Sequence, residues 1–338
     1  MNAIIRQLLA RESLSQAQCY TLFSGMEAAN RSQQAVILSL LAAKKESVHE
    51  ILAVRQFLLE HATLDPMLAN RMPDNLIDLV GTGGDGVGTF NISTAASLVV
   101  ASCHVPVAKH GGGRVTGLSG SADVIQALRI PLHHLIDDIL DSLHRHGYAY
   151  LSAMHFNPLF QTFKPIRSQL DFPTIFNVLG PLTNPLQPKR QVVGVFRRDL
   201  VPVVASVLQA TGSIHAMVVH AVEGLDELSV SGPTDIAEIG PYGIKEYRLD
   251  PRELGFPSYA LSDVLGGTSM QNADTIRAIF NGEVKGAKRD IVLLNAAAGL
   301  MVADDVSTFS EGIERAADAI TSGAARDLLN RIQLGAQK

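Results

Sequence analysis

Six residues in the first third of the chain concentrate the features of a phosphate-binding loop. Four of the six residues Gly81–Gly86 are glycines, and an apolar run predicted to be a strand over 75–80 leads into them. Glycine lets backbone N–H groups approach a ligand closely. Asn91, Ser93 and Thr94 follow at the predicted start of a helix, where the helix dipole favours an anion. The pattern indicates a site for phosphate or pyrophosphate, and the alternative is a strand-to-helix turn without a ligand.

This loop fits neither of the two common nucleotide-binding fingerprints well. A Walker loop places Lys and then Ser or Thr directly after its glycines, where this chain has Val87 and Gly88. The glycine spacing matches G-x-G-x-x-G, but Asp85 within the turn would repel a pyrophosphate unless a cation lay between them. The sequence therefore predicts a divalent cation beside the anion, or an Asp85 that only braces the turn.

A second glycine loop follows the next predicted strand, over 105–108. It begins Lys109-His110-Gly111-Gly112-Gly113 and continues through hydroxyl-bearing residues to Ser121. Ligands of open α/β sheets bind beyond the carboxyl ends of the strands, so two such loops can contact one anion from both sides. The alternative is a flexible loop in which Lys109 and His110 are solvated.

A pair of adjacent carboxylates and one arginine complete the candidate chemistry. Asp226 and Glu227 follow a predicted strand, and Mg²⁺ typically uses one or two carboxylates together with substrate phosphates. Taken alone, this pair would also fit a solvated turn. Arg167 suits a carboxylate, which it can bind through two hydrogen bonds, or it lies on a helix surface. Beside two anion-binding loops the magnesium interpretation is favoured, because a pyrophosphate needs its charge neutralised.

Helical periodicity dominates the first part of the chain. Apolar residues recur at helical spacing from residue 1 to about 64, with breaks predicted at Gly25 and Asn30. Pro66 and Pro73 lie in a connector. We therefore predict an N-terminal helical domain over residues 1–64.

Strands alternate with helices in the remainder of the chain, which predicts an α/β domain over 73–338 with a mostly parallel central sheet flanked by helices. A proline-containing segment near 164–185 is predicted to join the helical domain, and a final helix is predicted over 310–334. The predicted strands span 75–80, 105–108, 149–153, 191–195 and 216–220, with a later antiparallel pair at 235–239 and 244–247.

The composition restricts the class of protein. The 338 residues are 46% hydrophobic but only 5% aromatic, which suits an aliphatic core between helices and a sheet. A net charge of −5 offers no general attraction to nucleic acid or to anionic membranes. Cys19 and Cys103 are predicted to be buried free thiols in a reducing compartment. The N-terminal apolar run is interrupted by Arg6, Arg11 and Glu12, so it lacks the continuous apolar core of a signal peptide. Together with the net charge, this predicts a cytoplasmic protein without nucleic-acid or membrane partners.

The motifs in their order resemble the anthranilate phosphoribosyltransferase family over almost the whole chain. The matching segments are GTGGDG…TFNIST, a KHG loop ending in SGSAD, the P-[VI]-R helix, TIFN-x-LGPL-x-NP, GLDE-x-S and NA…IRA…G-E…RDIVLLNAAA. The resemblance implies a small helical domain, a larger α/β domain and a homodimer formed through the helical domain. It also implies transfer of 5-phosphoribose from phosphoribosyl pyrophosphate (PRPP) to the amine of anthranilate in tryptophan biosynthesis, with about two Mg²⁺ ions per active site.

The resemblance assigns roles to individual positions. Those predicted to bind Mg²⁺ are Ser93, Asp226 and Glu227. Those predicted to bind the acceptor are Gly81, Gly112, Asn157 and Arg167, the last of which faces the anthranilate carboxylate. Those predicted to bind PRPP are Gly81, Gly83, Gly84, Asp85, Thr89, Asn91, Ser93, Thr94, Lys109, Gly111, Thr116, Gly117, Ser119 and Ser121.

Several positions depart from the family pattern. Gly112 and Gly113 replace the Asn and Arg of KHGNR, Leu118 replaces a Lys, and Asn157 replaces the final His of FAP-x-[YH]-H. The metal motif GLDE is intact. A PRPP-dependent transferase with a different aromatic acceptor therefore stays open as an alternative. The net charge and the intact GLDE argue against a nucleic-acid-binding relative, and the TIFN and GLDE segments argue against a nucleoside phosphorylase.

Overall fold

A seven-stranded β-sheet runs through the computed structural model, which describes residues 2–63, 68, 72–113 and 119–335. The strands are β1 Ile77–Gly81, β2 Val107–Gly111, β3 Tyr148–Ser152, β4 Arg190–Gly194, β5 His215–Ala221, β6 Thr234–Gly240 and β7 Gly243–Leu249. Their order is β3-β2-β1-β4-β5-β6-β7. The first five strands are parallel, and β6 and β7 add antiparallel pairs at one edge. The predicted α/β fold with a mostly parallel sheet is confirmed.

Helices precede the sheet, connect its strands and follow it. The first four are α1 Asn2–Leu9, α2 Gln16–Ala28, α3 Arg31–Lys44 and α4 Val48–Glu60. Between the strands lie α5 Ile92–Ser102, α6 Ser121–Ala127, α7 Ile136–His146, α8 Ala153–Phe156, α9 Pro158–Leu170, α10 Ile175–Leu182 and α11 Leu200–Ala210. Two short 3₁₀ helices, Pro251–Leu254 and Leu261–Val264, precede α12 Ser269–Phe280, α13 Ala287–Val302, α14 Phe309–Thr321 and α15 Ala324–Gly335. Within the described residues, none of these helices has the length and hydropathy needed to span a membrane.

Capping boxes fix the starts of three N-terminal helices. The side chains of Ser15, Asn30 and Ser47 each accept a hydrogen bond from the backbone N–H of the third helical residue. The side chain of that residue in turn accepts a hydrogen bond from the backbone N–H of the cap. Asn30 therefore ends one helical segment and starts the next, as predicted. Gly25 lies inside α2, so the break predicted there was wrong. Packing of buried neighbours such as Phe23 outweighs the cost of an interior glycine, which is about 1 kcal/mol.

Two hydrophobic cores lie on opposite faces of the sheet. Leu79 of β1 packs in the core that contains α5 and α13, whereas its neighbour Val80 packs in the core that contains the N-terminal helices. This alternation follows from the two-residue repeat of a strand. In the second core, the ring centres of Phe23 in α2 and Phe176 in α10 are 6.0 Å apart. Helices α1–α4 thus share a core with α9, α10 and α11.

The helix predicted over 310–334 is two helices. α14 ends at Thr321, and α15 begins at Ala324. Gly323 between them has a φ of 86°, in the left-handed region that ends right-handed helices. The glycine interrupts a helical pattern whose apolar periodicity continues on both sides.

A charged cluster at the start of β5 gives the fold a testable pH dependence. His215 lies 2.9 Å from Glu238 and 2.7 Å from Asp304. Its hydrogen bonds to Glu238 and Asp304 raise the pKa of His215 above its usual 6.5. A raised folded-state pKa adds stability that is complete below about pH 6.5 and is lost as the pH rises through the folded value. We expect His215→Gln to lower the free energy of unfolding by about 1 kcal/mol at about pH 5.5, and by less at about pH 9.

Urea unfolding followed by circular dichroism measures this difference. The control is His144→Gln, at an exposed histidine of α7. The ion-pair explanation is contradicted if His215→Gln destabilises the protein equally at both pH values.

Candidate active site

The two glycine loops, the carboxylate pair and Arg167 meet at one cavity of about 290 Å³. It lies at the carboxyl ends of the parallel strands, because the loops that line it follow β1, β2 and β5. In the strand order, β1 lies between β2 and β4, so the chain winds in opposite directions on its two sides. Such switch points are where open α/β sheets form their binding crevices.

Most of the residues predicted to form a site line this cavity. They are Gly81, Gly83, Gly84, Asp85, Thr89, Asn91, Ser93, Lys109, Gly111, Gly112, Ser119, Ser121, Arg167, Asp226 and Glu227. Thr116 and Gly117 lie outside the described residues. Thr94 and Asn157 are described, but they do not line the cavity.

Asn157 is buried in a structural position. Its Nδ2 donates to the carbonyl of Leu58 at 2.7 Å, and its Oδ1 accepts from the backbone N–H of Leu159 at 3.2 Å. These bonds join the end of α4 to the start of α9. Both polar atoms of the amide are therefore engaged away from the cavity, and the predicted contact of Asn157 with an acceptor stays a prediction.

Thr94 also differs from its prediction. It is fully buried in the first turn of α5, and its Oγ1 makes no hydrogen bond within the described residues. Its neighbour Ser93 faces the cavity instead. Adjacent helical residues point about 100° apart, so only one of the two hydroxyls reaches the cavity.

The first glycine loop wraps around the carboxylate of Asp226. The backbone N–H of Gly83 donates to Asp226 Oδ2 at 2.6 Å. Gly83 and Gly84 have φ values of 61° and 84°, which favour glycine. A Cβ at Gly81 would collide with Asp226 Oδ2. The glycines of this loop therefore make room for a protein carboxylate as well as for a ligand.

Two side-chain hydroxyls, those of Ser121 and Tyr150, support the second glycine loop. Ser121 Oγ donates to the carbonyl of Gly112 at 3.1 Å and lies 2.9 Å from the hydroxyl of the buried Tyr150. A Cβ at Gly111 would collide with Ser121 Oγ. The start of α6 and the end of β2 are thereby fixed against each other.

Three carboxylates, those of Asp85, Asp226 and Glu227, crowd one side of the cavity. Burial and the charge of Asp85 raise the pKa of Asp226 to about 7, and burial and the charge of Asp226 raise the pKa of Glu227 to about 8. Burial also raises the pKa of Asp85. Carboxylates resist ionisation in this way when too little positive charge lies near them. The cluster therefore fits a cation.

The available ligand atoms favour a Mg²⁺ ion whose coordination is completed by a substrate. Mg²⁺ prefers oxygen ligands and typically takes one or two carboxylates together with phosphate oxygens and waters. Within the described ranges, no group of three His, Cys, Asp or Glu residues is arranged to hold a metal by itself. Asp226 and Glu227 therefore match a metal whose remaining ligands come from outside the chain.

Lys109 supplies positive charge at the floor of the cavity. Its Nζ donates to the carbonyl of Leu79 and to Ser93 Oγ, the latter at 3.1 Å. The backbone N–H of Ser93 in turn donates to Glu227 Oε1 at 3.1 Å. Burial lowers the pKa of Lys109, and the nearby charges of Asp78 and Glu227 oppose that shift. The lysine, the serine and the glutamate thus form one connected group.

Arg167 and aromatic side chains form the other end of the cavity. The guanidinium carbon of Arg167 lies 5.4 Å from the ring centre of Phe176 and 6.0 Å from that of Phe160. Burial lowers the pKa of Arg167 to about 10, and no acidic group of the described chain offsets it. A half-buried guanidinium beside aromatic rings suits a ligand that carries both a carboxylate and a flat ring.

Several lining residues were not predicted as site residues. They include His110, Met154, Lys164, Ser168, Phe172 and Asn177. Lys164 and Ser168 lie within one helical turn of Arg167, so their spacing was a usable signal. His110 Nδ1 lies 2.9 Å from the carbonyl of Gly180, and burial lowers the pKa of His110 to about 4, so its ring is neutral at pH 7.

Comparison with known proteins identifies relatives of the whole chain. A family model described as "Glycosyl transferase family, a/b domain" matches residues 73–326. The anthranilate phosphoribosyltransferase of Parvibaculum lavamentivorans is 41% identical over 331 residues, which are 97% of this chain and 95% of that protein. The enzyme of the same name from Laribacter hongkongensis is 42% identical over 301 residues, 89% of this chain and 87% of the relative.

Solved structures agree with these sequence relatives. Anthranilate phosphoribosyltransferase from Thermus thermophilus superposes with a TM-score of 0.85 at 33% identity and covers 99% of both chains. The enzyme from Saccharomyces cerevisiae, in complex with PRPP and Mg, superposes with a TM-score of 0.86 at 26% identity, over 98% of this chain and 96% of that one. With its sequence relatives and its fold in agreement, this chain belongs to the anthranilate phosphoribosyltransferase family.

Proposed function

We propose that the protein transfers the 5-phosphoribosyl group of PRPP to the amine of anthranilate and releases pyrophosphate. One observation carries the proposal: a single cavity joins a glycine-rich, carboxylate-lined anion site to a half-buried arginine among aromatic rings. Relatives about 40% identical and named for this reaction support both substrates. The yeast enzyme's complex with PRPP and Mg supports the donor and the metal.

PRPP would occupy the side of the cavity formed by the glycine loops. Backbone N–H groups and Lys109 are fixed donors for its phosphates. Asp226, Glu227 and Ser93 would hold Mg²⁺, about two ions per site by family resemblance. When bound, Mg²⁺ supplies positive charge that stabilises the departing pyrophosphate.

Anthranilate would occupy the opposite side, beside Arg167. The guanidinium would bind its carboxylate, and Phe160 and Phe176 would provide apolar walls for its ring. Gly112 and Gly113 of the second glycine loop replace larger family residues and leave space in the same cavity. A Cβ at Gly112 would meet nothing within 4 Å, and one at Gly113 would only touch the side chain of Met154 at 3.3 Å.

The chemistry is a displacement at the anomeric carbon of ribose. The bond from this carbon to the pyrophosphate oxygen breaks, the bond to the amine nitrogen forms, and the amine then loses a proton. Like glycoside cleavage, the reaction should pass through an oxocarbenium-like transition state. An aromatic amine is already neutral at pH 7, so it needs little help from a base. Positioning by Arg167 can then supply much of the rate, since good orientation contributes up to ~7–11 kcal/mol.

Competition between acceptors tests the substrate assignment. The pure protein is incubated with PRPP, Mg²⁺ and equal concentrations of anthranilate and its isomer 4-aminobenzoate, and the products are separated by chromatography. We expect the phosphoribosyl adduct of anthranilate to dominate, because only one isomer places its amine correctly when Arg167 holds the carboxylate. Preferential modification of 4-aminobenzoate would favour a transferase with a different acceptor.

Gly194 at the end of β4 offers a test of the metal-side geometry. A Cβ there would collide with the backbone carbonyl of Asp226. We expect Gly194→Ala to lower kcat about tenfold, because small displacements of catalytic groups cost rate steeply. Steady-state kinetics measure the effect. The matched control is Gly240→Ala, whose Cβ would meet nothing within 4 Å, and equal losses in the two variants would contradict the explanation.

We further infer that residues 1–64, together with helices near 164–185, form a helical domain that mediates a homodimer, and that 73–338 form the α/β domain. The packing of α1–α4 with α9 and α10 supports the grouping of these helices, and the same core continues onto α11 and one face of the sheet. Leu9 and Val36, which are 63% and 47% exposed, give the N-terminal helices apolar surface for a partner copy. Light scattering should give the mass of a dimer.

The buried free thiols of Cys19 and Cys103 suit the cytoplasm, the predicted location.

A further inference from the structure

Asn272 lies in the first turn of α12, in a family motif to which the mechanism above gives no role. Its side chain is buried, with 2% of the residue exposed. Its Oδ1 accepts from the backbone N–H of Gly267 at 2.8 Å, and its Nδ2 donates to Asn91 Oδ1 at 2.9 Å. Asn91 lines the cavity just before α5. The motif residue is therefore one hydrogen bond away from the anion site.

These two bonds fix the orientation of both side-chain amides. The backbone N–H of Gly267 can only donate, so the atom of Asn272 that faces it must be Oδ1. The other amide atom of Asn272 is then Nδ2, which can only donate, so Asn91 must present its Oδ1 to it. The Nδ2 group of Asn91 is thereby left as the donor available to a ligand in the cavity.

The segment that carries Gly267 is itself fixed to the first glycine loop. The backbone N–H of Gly266 donates to the carbonyl of Gly88 at 2.9 Å, and that of Phe90 donates to the carbonyl of Val264 at 3.3 Å. A Cβ at Gly266 would lie 2.6 Å from the backbone nitrogen of Phe90. The two backbones are thus in direct contact, and Asn272 is held at a constant position relative to Asn91.

We propose that Asn272 is a positioning residue that turns the amide of Asn91 so that its NH₂ group donates to a phosphate of PRPP. The inference rests on the proposed function, because it takes PRPP to be the anion in the cavity. With the opposite orientation, Asn91 would present an oxygen to the phosphate and repel it. A hydrogen bond to a charged group typically changes affinity between about ten- and a hundredfold.

The test is a double-mutant cycle on PRPP binding, measured by titration calorimetry with Mg²⁺ present. We expect Asn272→Ala to raise the Kd for PRPP about tenfold and to leave the KM for anthranilate unchanged. Asn91→Ala should raise the Kd at least as much. Because Asn272 acts through Asn91, the double variant should bind PRPP like Asn91→Ala alone. If the fold-changes in Kd of the two single variants multiply in the double variant, the proposal is overturned, since a merely structural role of Asn272 does not depend on Asn91.

A second substitution covers the case in which Asn272→Ala does not fold. Asn272→Asp keeps the acceptor for Gly267 but has no group that donates to Asn91. We expect the variant to fold with a lower Tm than the wild type, because a carboxylate is costly to bury, and to show a clear loss of PRPP affinity that disappears in the Asn91→Ala background. A loss that persists there would come from the added charge and would overturn the proposal. Wild-type protein that fails to bind PRPP would instead contradict the proposed function, whereas normal binding by both Asn272 variants contradicts only this inference.

Discussion

Asp226→Asn and Glu227→Gln are each expected to lower kcat/KM for PRPP by about 100- to 1,000-fold. Both substitutions keep the shape of the side chain and remove its negative charge. Asn at 226 still offers an oxygen to the backbone N–H of Gly83, so the first glycine loop keeps its contact. What is lost is the charge that we propose to bind Mg²⁺, and with it the stabilisation of the departing pyrophosphate. Half-maximal rate should therefore require more Mg²⁺ in both variants.

Initial rates across a magnesium series measure both effects. Asp137→Asn is the matched control, because Asp137 is exposed on α7 and does not line the cavity. It should behave like the wild type. If Asp226→Asn and Glu227→Gln keep the wild-type rate and magnesium dependence, these carboxylates do not hold the metal.

Arg167→Ala is expected to raise the KM for anthranilate about 100-fold while the KM for PRPP changes less than about twofold. The guanidinium is half-buried beside Phe160 and Phe176, where a bound carboxylate would lose part of its water and depend on a paired cation. The phosphate side of the cavity is formed by other residues, so it should be affected little. The KM of Arg167→Lys for anthranilate should lie between those of the wild type and Arg167→Ala. Lysine keeps the positive charge but cannot form the bidentate hydrogen bonds that arginine makes to a carboxylate.

Kinetics with each substrate varied in turn separate these effects. Arg198→Ala is the control, since Arg198 is mostly exposed and pairs with Asp235 outside the cavity. An unchanged KM for anthranilate would contradict the assignment of Arg167 to acceptor binding. Equal increases in both KM values would also contradict it, because they would indicate a general disturbance of the cavity.

The parts of the molecule that local sequence patterns determine could be predicted well. Hydrophobic periodicity and glycine spacing predict the strand-loop-helix unit around Gly81–Gly86. They also predict that the strands are mostly parallel. Asp226, 140 or more residues further along the chain, could be placed in the same cavity only because parallel strands bring their carboxyl ends to one edge. Its direct hydrogen bond to Gly83 was not predictable, since it depends on the relative position of two loops.

Distant contacts that local patterns do not show decide the surroundings of several side chains. The amide of Asn157, which is predicted to contact the acceptor, donates to Leu58, which is 99 residues away in sequence. Asn272 was noted only as part of a motif, because its partner Asn91 lies 181 residues earlier. Gly25 was predicted to break a helix that tertiary packing maintains. In each case the local residue type was compatible with several roles, and long-range packing selected one.

The departures at Gly112 and Gly113 now have a physical interpretation. Both glycines line the cavity, and substitution of larger family residues by glycine removes side chains without adding any obstacle. The cavity therefore keeps Arg167 and gains space. We expect any altered preference for substituted anthranilates to depend on these two positions.

Loss of anthranilate fluorescence is a direct test of phosphoribosyl transfer to anthranilate. The pure protein, PRPP and Mg²⁺ are mixed with anthranilate, and the fluorescence is followed continuously. We predict that the signal falls only when all four components are present, that EDTA stops the decline, and that excess Mg²⁺ restores it. Fluorescence that stays constant in the complete mixture, or a decline that EDTA does not affect, would contradict it.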